Sequence, residues 1–162
     1  SIWLQLNDIP YKSLFHEVKK EIDIVHSYGN SWNEANYDYI KDVLEQKKGV
    51  IIRVILLSPK SKLINGLYEL YRKNTVEELL YSMHESIQYW LDLSEIAEKN
   101  DNTIKIYYHE QNPTHSLYRF DDKIVNVNNL ITKKRTSRFP TIICKKNEKY
   151  KDTLFSNYNS EI

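Results

Sequence analysis

The sequence predicts an α/β domain built on a mixed, mainly parallel central sheet flanked by helices. Three observations carry that expectation. Residues 50–57 form a nearly continuous, β-branched apolar run, the pattern of a strand covered on both faces in a parallel sheet. Strand-like and helix-like segments alternate through the first hundred residues, as parallel strands joined by right-handed crossovers require. Beyond residue 103 the strand-like segments follow one another directly, which brings antiparallel pairs. The chain has 162 residues, 41% of them hydrophobic and 28% charged, which suits one domain over 1–162 with one sizeable core.

The elements follow in order. Residues 10–21 place Leu14, Phe15 and Val18 on one helical face, and Pro10 suits the first turn. Residues 22–28 are β-prone and end at Gly29-Asn30. Ser31, with Glu34 three residues on, has the capping-box pattern. Trp32, Asn36, Ile40, Val43 and Leu44 then recur at helical spacing until Gly49 stops the helix. The strand at 50–57 ends at Ser58-Pro59, and 63–72 reads as a helix. Thr75, with Glu78 three on, opens a longer helix that runs to about Lys99. Its apolar stripe is Val76, Leu79, Leu80, Met83, Ile87, Trp90 and Leu91. Asn100-Asp101-Asn102 turns the chain into a strand at 103–108. Residues 116–120 and 123–127 read as a hairpin around Asp121-Asp122. A strand at 141–144 follows Pro140, and 150–158 reads as a closing helix.

Composition excludes several classes. No apolar run approaches the roughly 18–20 residues of a membrane-spanning helix, and no basic-then-apolar leader opens the sequence. The expected location is the cytoplasm, with no membrane span. A single cysteine, Cys144, excludes an internal disulfide framework and a CxxC knuckle. The sequence starts at Ser1 and its only methionine is Met83, which we read as a domain excised from a larger parent chain. The excess of Asn, Lys, Ile and Tyr is read first as codon bias. The formal net charge of +1 hides an asymmetry. Residues 133–151 hold eight basic side chains against Glu148 alone, a net +7, which leaves −6 for the other 143 residues. Such a block either is a solvated face or meets phosphate.

Few residues carry chemistry. Three glycines cannot build a phosphate-cradling loop. His16, His26, His84, His109 and His115 are dispersed, so no metal and no cofactor is expected. Cys144 lies in an apolar strand and reads as core rather than nucleophile. Arg53 interrupts the run at 50–57; it lies at a sheet edge, pairs with a carboxylate, or holds a ligand anion. Ser27, Asn30 and Ser31 follow the first strand, where they either cap a helix or join a ligand site past the carboxyl ends of the strands. Tyr107, Tyr108, Tyr118 and Phe120 either fill a sheet face or stack bases beside the basic block.

One constellation remains, His115-Ser116-Leu117-Tyr118-Arg119-Phe120-Asp121-Asp122. With the strand that begins at Gly49-Val50 and the order of elements, it resembles the phospholipase D-like superfamily over roughly residues 15–158. That family carries a His on a strand, a Lys two residues on and an Asp five further. His115 matches the nucleophile and Asp122 the acid, while Leu117 occupies the lysine position. The resemblance implies a histidine that attacks phosphorus, a second histidine from another copy that protonates the leaving group, and a lysine that neutralises phosphoryl charge. Leucine cannot do the last, and loss of one such donor costs about 10²–10³ in rate. Arg119 shares the strand face of Leu117 and is the nearest substitute.

The resemblance therefore implies a fold retained with its chemistry lost or changed. The expected role is sensing or binding a phosphate-bearing ligand, a nucleotide or nucleic acid, inside a larger bacterial regulatory or defence protein. A homodimer across the His115 region is also implied. The candidate ligand-binding residues are Arg53, Arg119, Lys133, Lys134, Arg135, Ser27 and Asn30. Two alternatives stand beside it. One is an active phosphodiesterase or nuclease using His115 and Asp122. The other is a protein-interaction domain presenting the helix from Thr75 and the tyrosines.

Overall fold

The computed structural model describes residues 2–3, 8–112, 114–128 and 141–146. Among them the elements are β1 (Ile2–Trp3), α1 (Tyr11–Glu17), β2 (Glu21–His26), α2 (Asn30–Gln46), β3 (Ile51–Leu57), α3 (Ile64–Leu67), α4 (Val76–Lys99), β4 (Thr103–His109), β5 (His115–Phe120), β6 (Lys123–Asn128) and β7 (Thr141–Lys145). The strands form one sheet in the order β1-β7-β6-β5-β2-β3-β4. The chain is thus an α/β domain with a mixed sheet flanked by helices.

The sheet is not mainly parallel. Only β2–β3 and β3–β4 are parallel, while β2–β5, β5–β6, β6–β7 and β1–β7 are antiparallel. The cause is the hairpin. Asp121 adopts a left-handed φ of +50° and turns β5 directly into β6 as an antiparallel pair. The Asp121 carboxylate then ties this turn to the start of β2. It accepts from the backbone N–H groups of Lys19 at 2.7 Å, Lys20 at 3.0 Å and Glu21 at 2.9 Å.

Alternation along the strands sends one residue set to the core. Ile22 and Ile24 of β2, Ile52, Val54 and Leu56 of β3, and Tyr118 and Phe120 of β5 meet Leu14 and Phe15 of α1, Trp32, Ile40 and Leu44 of α2, and Trp90 and Leu93 of α4. The opposite face differs along its width. Near β5–β7 it buries Leu117, Ile124 and Cys144. At β3 and β4 it is open, with Ile51 at 36% and Tyr107 at 47% exposure. The expectation that β3 is covered on both faces is therefore corrected. It has parallel neighbours on both sides, yet its first, third and fifth residues are exposed or half-buried.

Polar side chains close the helix ends. Lys47 Nζ donates to the carbonyls of Phe15, His16 and Val18, ending α1. Asn102 donates to Leu44 O and Lys47 O and accepts from Val50 N, joining the end of α2 to the start of β3. Thr75 caps α4 as expected, its hydroxyl accepting from Glu78 N at 3.2 Å. Ser31 does not cap α2. The helix starts one residue earlier, behind Gly29 at φ +66°, and Ser31 is exposed. The expected helix at 63–72 shortens to α3, followed by turns that end at Arg72 with φ +59°. The expected helix at 150–158 lies outside the described residues.

Candidate functional site

The strand order fixes where each candidate sits. β5 runs antiparallel to β2, so its first residue, His115, reaches the edge of the sheet at which β2, β3 and β4 end. Asp122 stands two residues past the end of β5 and lies at the opposite edge. A six-residue strand separates the two by on the order of 20 Å. At that far edge Asp122 faces Lys145 at 3.7 Å, and its carbonyl accepts from Lys146 N. His115 and Asp122 thus share no pocket. Leu117 is fully buried beside Ile124 and Cys144. Cys144 is a core residue, and burial raises its thiol pKa.

Arg53 and Arg119 converge, but on carboxylates. Register places Asp23 directly between them, opposite Arg53 on one side and Arg119 on the other. Arg53 Nε lies 2.5 Å from Asp23 Oδ1 and its Nη2 lies 2.6 Å from Glu21 Oε2. Arg119 Nε donates to Asp23 Oδ2, and its Nη2 lies 3.1 Å from Glu21 Oε2. Two guanidinium groups and two carboxylates make a neutral quartet around a fully buried Asp23. The Asp23 hydrogen bond raises the Arg53 pKa further above its ordinary value. The carboxylate-paired reading of Arg53 is the one the structure bears out.

Ser27 and Asn30 also have protein partners. The Ser27 hydroxyl shares a hydrogen bond with Tyr71 Oη, and burial raises the Tyr71 pKa to about 12. Asn30 Nδ2 donates to Ser82 O at 3.0 Å, tying the start of α2 to α4. Lys133, Lys134 and Arg135 lie outside the described residues.

Two histidines lie at the edge formed by the ends of β2, β3 and β4, on strands that β2 and β3 separate. His109 ends β4 and is half-buried, and its carbonyl accepts from Ser58 N at 2.8 Å. Desolvation lowers its pKa, the Gln111 backbone opposes that, and the nearby charge of His115 lowers it further. His115 is half-buried, with Nδ1 3.0 Å from Thr114 Oγ1. The edge therefore carries two imidazoles within electrostatic reach of each other and the backbone that follows β3.

A third histidine was not singled out by sequence. His26 is 3% exposed, with rings of Trp32 at 5.9 Å and Tyr118 at 6.0 Å, both edge-on. Neither ring nitrogen has a partner among the described residues. Burial drives its pKa down to about 3. Its ring occupies the space that a Cβ on Gly29 would need, which accounts for glycine there. The α2–α4 contact was missed as well. Asn33 and Asn36 are buried on the apolar face of α2, and polar amides within an apolar stripe are the signal that marks them.

No family model matches the chain, and no curated protein matches it. Three solved chains do. One is TrmBL2, described as an archaeal chromatin protein whose structure shows a novel mode of DNA binding. It is 8% identical with a TM-score of 0.48, and the alignment covers 99% of this chain and 49% of TrmBL2. The chain thus spans about half the length of that protein.

Proposed function

We propose that this chain is a non-catalytic, phospholipase D-like binding domain that takes a phosphate-bearing ligand, a nucleotide or nucleic acid, at the edge carrying His109 and His115. The observation that carries this reading is the split of the motif. His115 shares with His109 the edge where open α/β sheets take ligands, while Asp122 lies at the other edge and Leu117 is buried in place of a cation. Histidine side chains offer N–H donors to a phosphoryl oxygen. Without the buried cation and the acid nothing assembles to stabilise a transferring phosphoryl group. Arg53 and Arg119 act in this reading as structural partners of Asp23 rather than as ligand contacts.

The test is a titration of the chain with ATP and with a short single-stranded oligonucleotide, followed through the histidine ring resonances. Saturable shifts at His115 and His109, lost in His115→Ala, are the expected result. Absence of saturable shifts at either ring overturns the ligand assignment. Turnover of bis-para-nitrophenyl phosphate that depends on His115 overturns the non-catalytic one.

The interaction reading has one observation of its own. β4 is an edge strand, and Tyr107 and Tyr108 project from its two faces at 47% and 51% exposure. Such an edge is a template for pairing with another strand.

A further inference from the structure

We propose that the cleft between α2 and α4 binds a linear organic cation of the polyamine class. The cleft has a volume of about 540 Å³ and lies between Asn30, Asn33, Glu34 and Asp38 of α2 and Glu85 and Tyr89 of α4. It is distinct from the edge at His115 and does not depend on the reading given to that edge.

Its chemistry is one-sided. Glu34 and Asp38 are one helical turn apart, and Glu85 faces them from the neighbouring helix. None of the three is in an ion pair among the described residues, although the chain holds 23 basic side chains. Asn33 supplies an independent sign of a ligand. It is 2% exposed, its Nδ2 donates to Ser86 Oγ at 3.2 Å, and its Oδ1 has no partner among the described residues. Asn30 Oδ1 is likewise buried and without a partner there. A buried acceptor left without a donor is costly, so evolution removes it or a ligand satisfies it. The three carboxylates and the two unpartnered amide oxygens all accept hydrogen bonds, which favours a donor-bearing cation over phosphate.

The spacing selects among cations. No group of three His, Cys, Asp or Glu side chains among the described residues could hold a metal ion, so the three carboxylates do not converge on a point charge. Charges spread along a cleft suit ammonium groups separated by methylenes. Tyr37 and Tyr89 supply ring surface for such a chain, their centroids 6.1 Å apart and nearly edge-to-face. Tyr89 is held in place because its hydroxyl donates to Asn33 O at 3.0 Å. Past Glu85 a second hollow of about 590 Å³ carries Glu77, Glu78 and Tyr81, with Lys73 at its rim ending the acidic track along α4.

The experiment is calorimetric titration of the full chain with spermidine, with putrescine, magnesium and tetralysine as competitors. Saturable spermidine binding is expected, weaker for putrescine, and neither is displaced by magnesium, whose charge equals that of putrescine. The triple variant Glu34→Gln, Asp38→Asn, Glu85→Gln should bind about tenfold more weakly or worse, equivalent to about 1.4 kcal/mol, with an unchanged melting temperature. Side-chain amide resonances of Asn33 should shift on binding. No saturable heat, equal binding by a folded triple variant, or full displacement by magnesium overturns the proposal. Tetralysine that binds more tightly through the same carboxylates places the ammonium groups on a protein partner and also overturns it.

Discussion

At the scale of single residues, two adjacent aspartates have opposite weight. The resemblance drew the eye to Asp122, yet the Asp122 carboxylate makes a long contact of 3.7 Å to Lys145 at the surface. Asp121 fixes three backbone N–H groups with one carboxylate and adopts a positive φ that aspartate tolerates better than most residues. Asp121→Ala should cost about 2 kcal/mol in urea unfolding, because three donors lose a charged acceptor and alanine strains the turn. Asp122→Ala should stay within about 0.5 kcal/mol, as exposed ion pairs do. His26 gives a second residue-scale prediction. It is neutral when buried, with a folded pKa of about 3 against about 6.5 in the unfolded chain. The unfolded state therefore takes up a proton that the folded state refuses. Stability is fully present above about pH 6.5 and falls as pH drops toward 3, by up to about 1.4 kcal/mol per unit. His26→Leu should flatten that slope between about pH 6.5 and pH 5, above most carboxylate titration, whatever it does to absolute stability. A slope unchanged in the variant would assign the acid sensitivity to other groups.

At the scale of elements, the long helix was the most legible part of the chain and the sheet faces the least. α4 runs from Val76 to Lys99 behind Thr75, matching the capping pair; of the expected stripe Leu79, Met83 and Trp90 are buried, while Leu91 is 46% exposed and Leu93 and Ala97 are buried in its stead. A local hydrogen bond and a 3.6-residue period decide it, and both are written in adjacent residues. The reciprocal half of the capping box shifts by one position. The Glu78 carboxylate accepts from Asn74 N at 2.9 Å, not from Thr75 N, and this holds its pKa down. Thr75→Ala should lower stability by about 1 kcal/mol, and Thr75→Asp should recover most of it, with helix content by circular dichroism as the check. β3 shows the limit of the same method. Its apolar run announced a parallel strand correctly. Whether a layer covers its second face depends on elements far away in sequence, and there Ile51 and Arg53 remain partly open.

At the scale of the whole molecule, the sheet joins a parallel half to an antiparallel half at β2, and the charge quartet sits on that junction. The sequence shows Arg53 as an interruption in an apolar run and Arg119 as a stand-in for a lost lysine. It does not show that Asp23 lies between them, because that pairing depends on the register of three strands up to 96 residues apart in sequence. The same blindness separates His115 from Asp122: a spacing of seven is local in sequence, but a strand carries the two residues to opposite edges. It also hid the convergence of Asn33, Glu85 and Tyr89, which needs α2 packed on α4. The last prediction tests the junction. Asp23 has no exposure to solvent and accepts from both arginines, so Asp23→Asn leaves two guanidinium groups facing Glu21 alone. Breaking a buried pair in this way typically costs about 3–5 kcal/mol, and the loss should be largest where β2, β3 and β5 meet. Amide exchange should then accelerate in β5 and β6 before it does in α4, which packs on the other face. Uniform acceleration would mean that the two halves unfold as one unit. A cost under about 1 kcal/mol would mean that the quartet contributes register rather than stability, as buried ion pairs sometimes do.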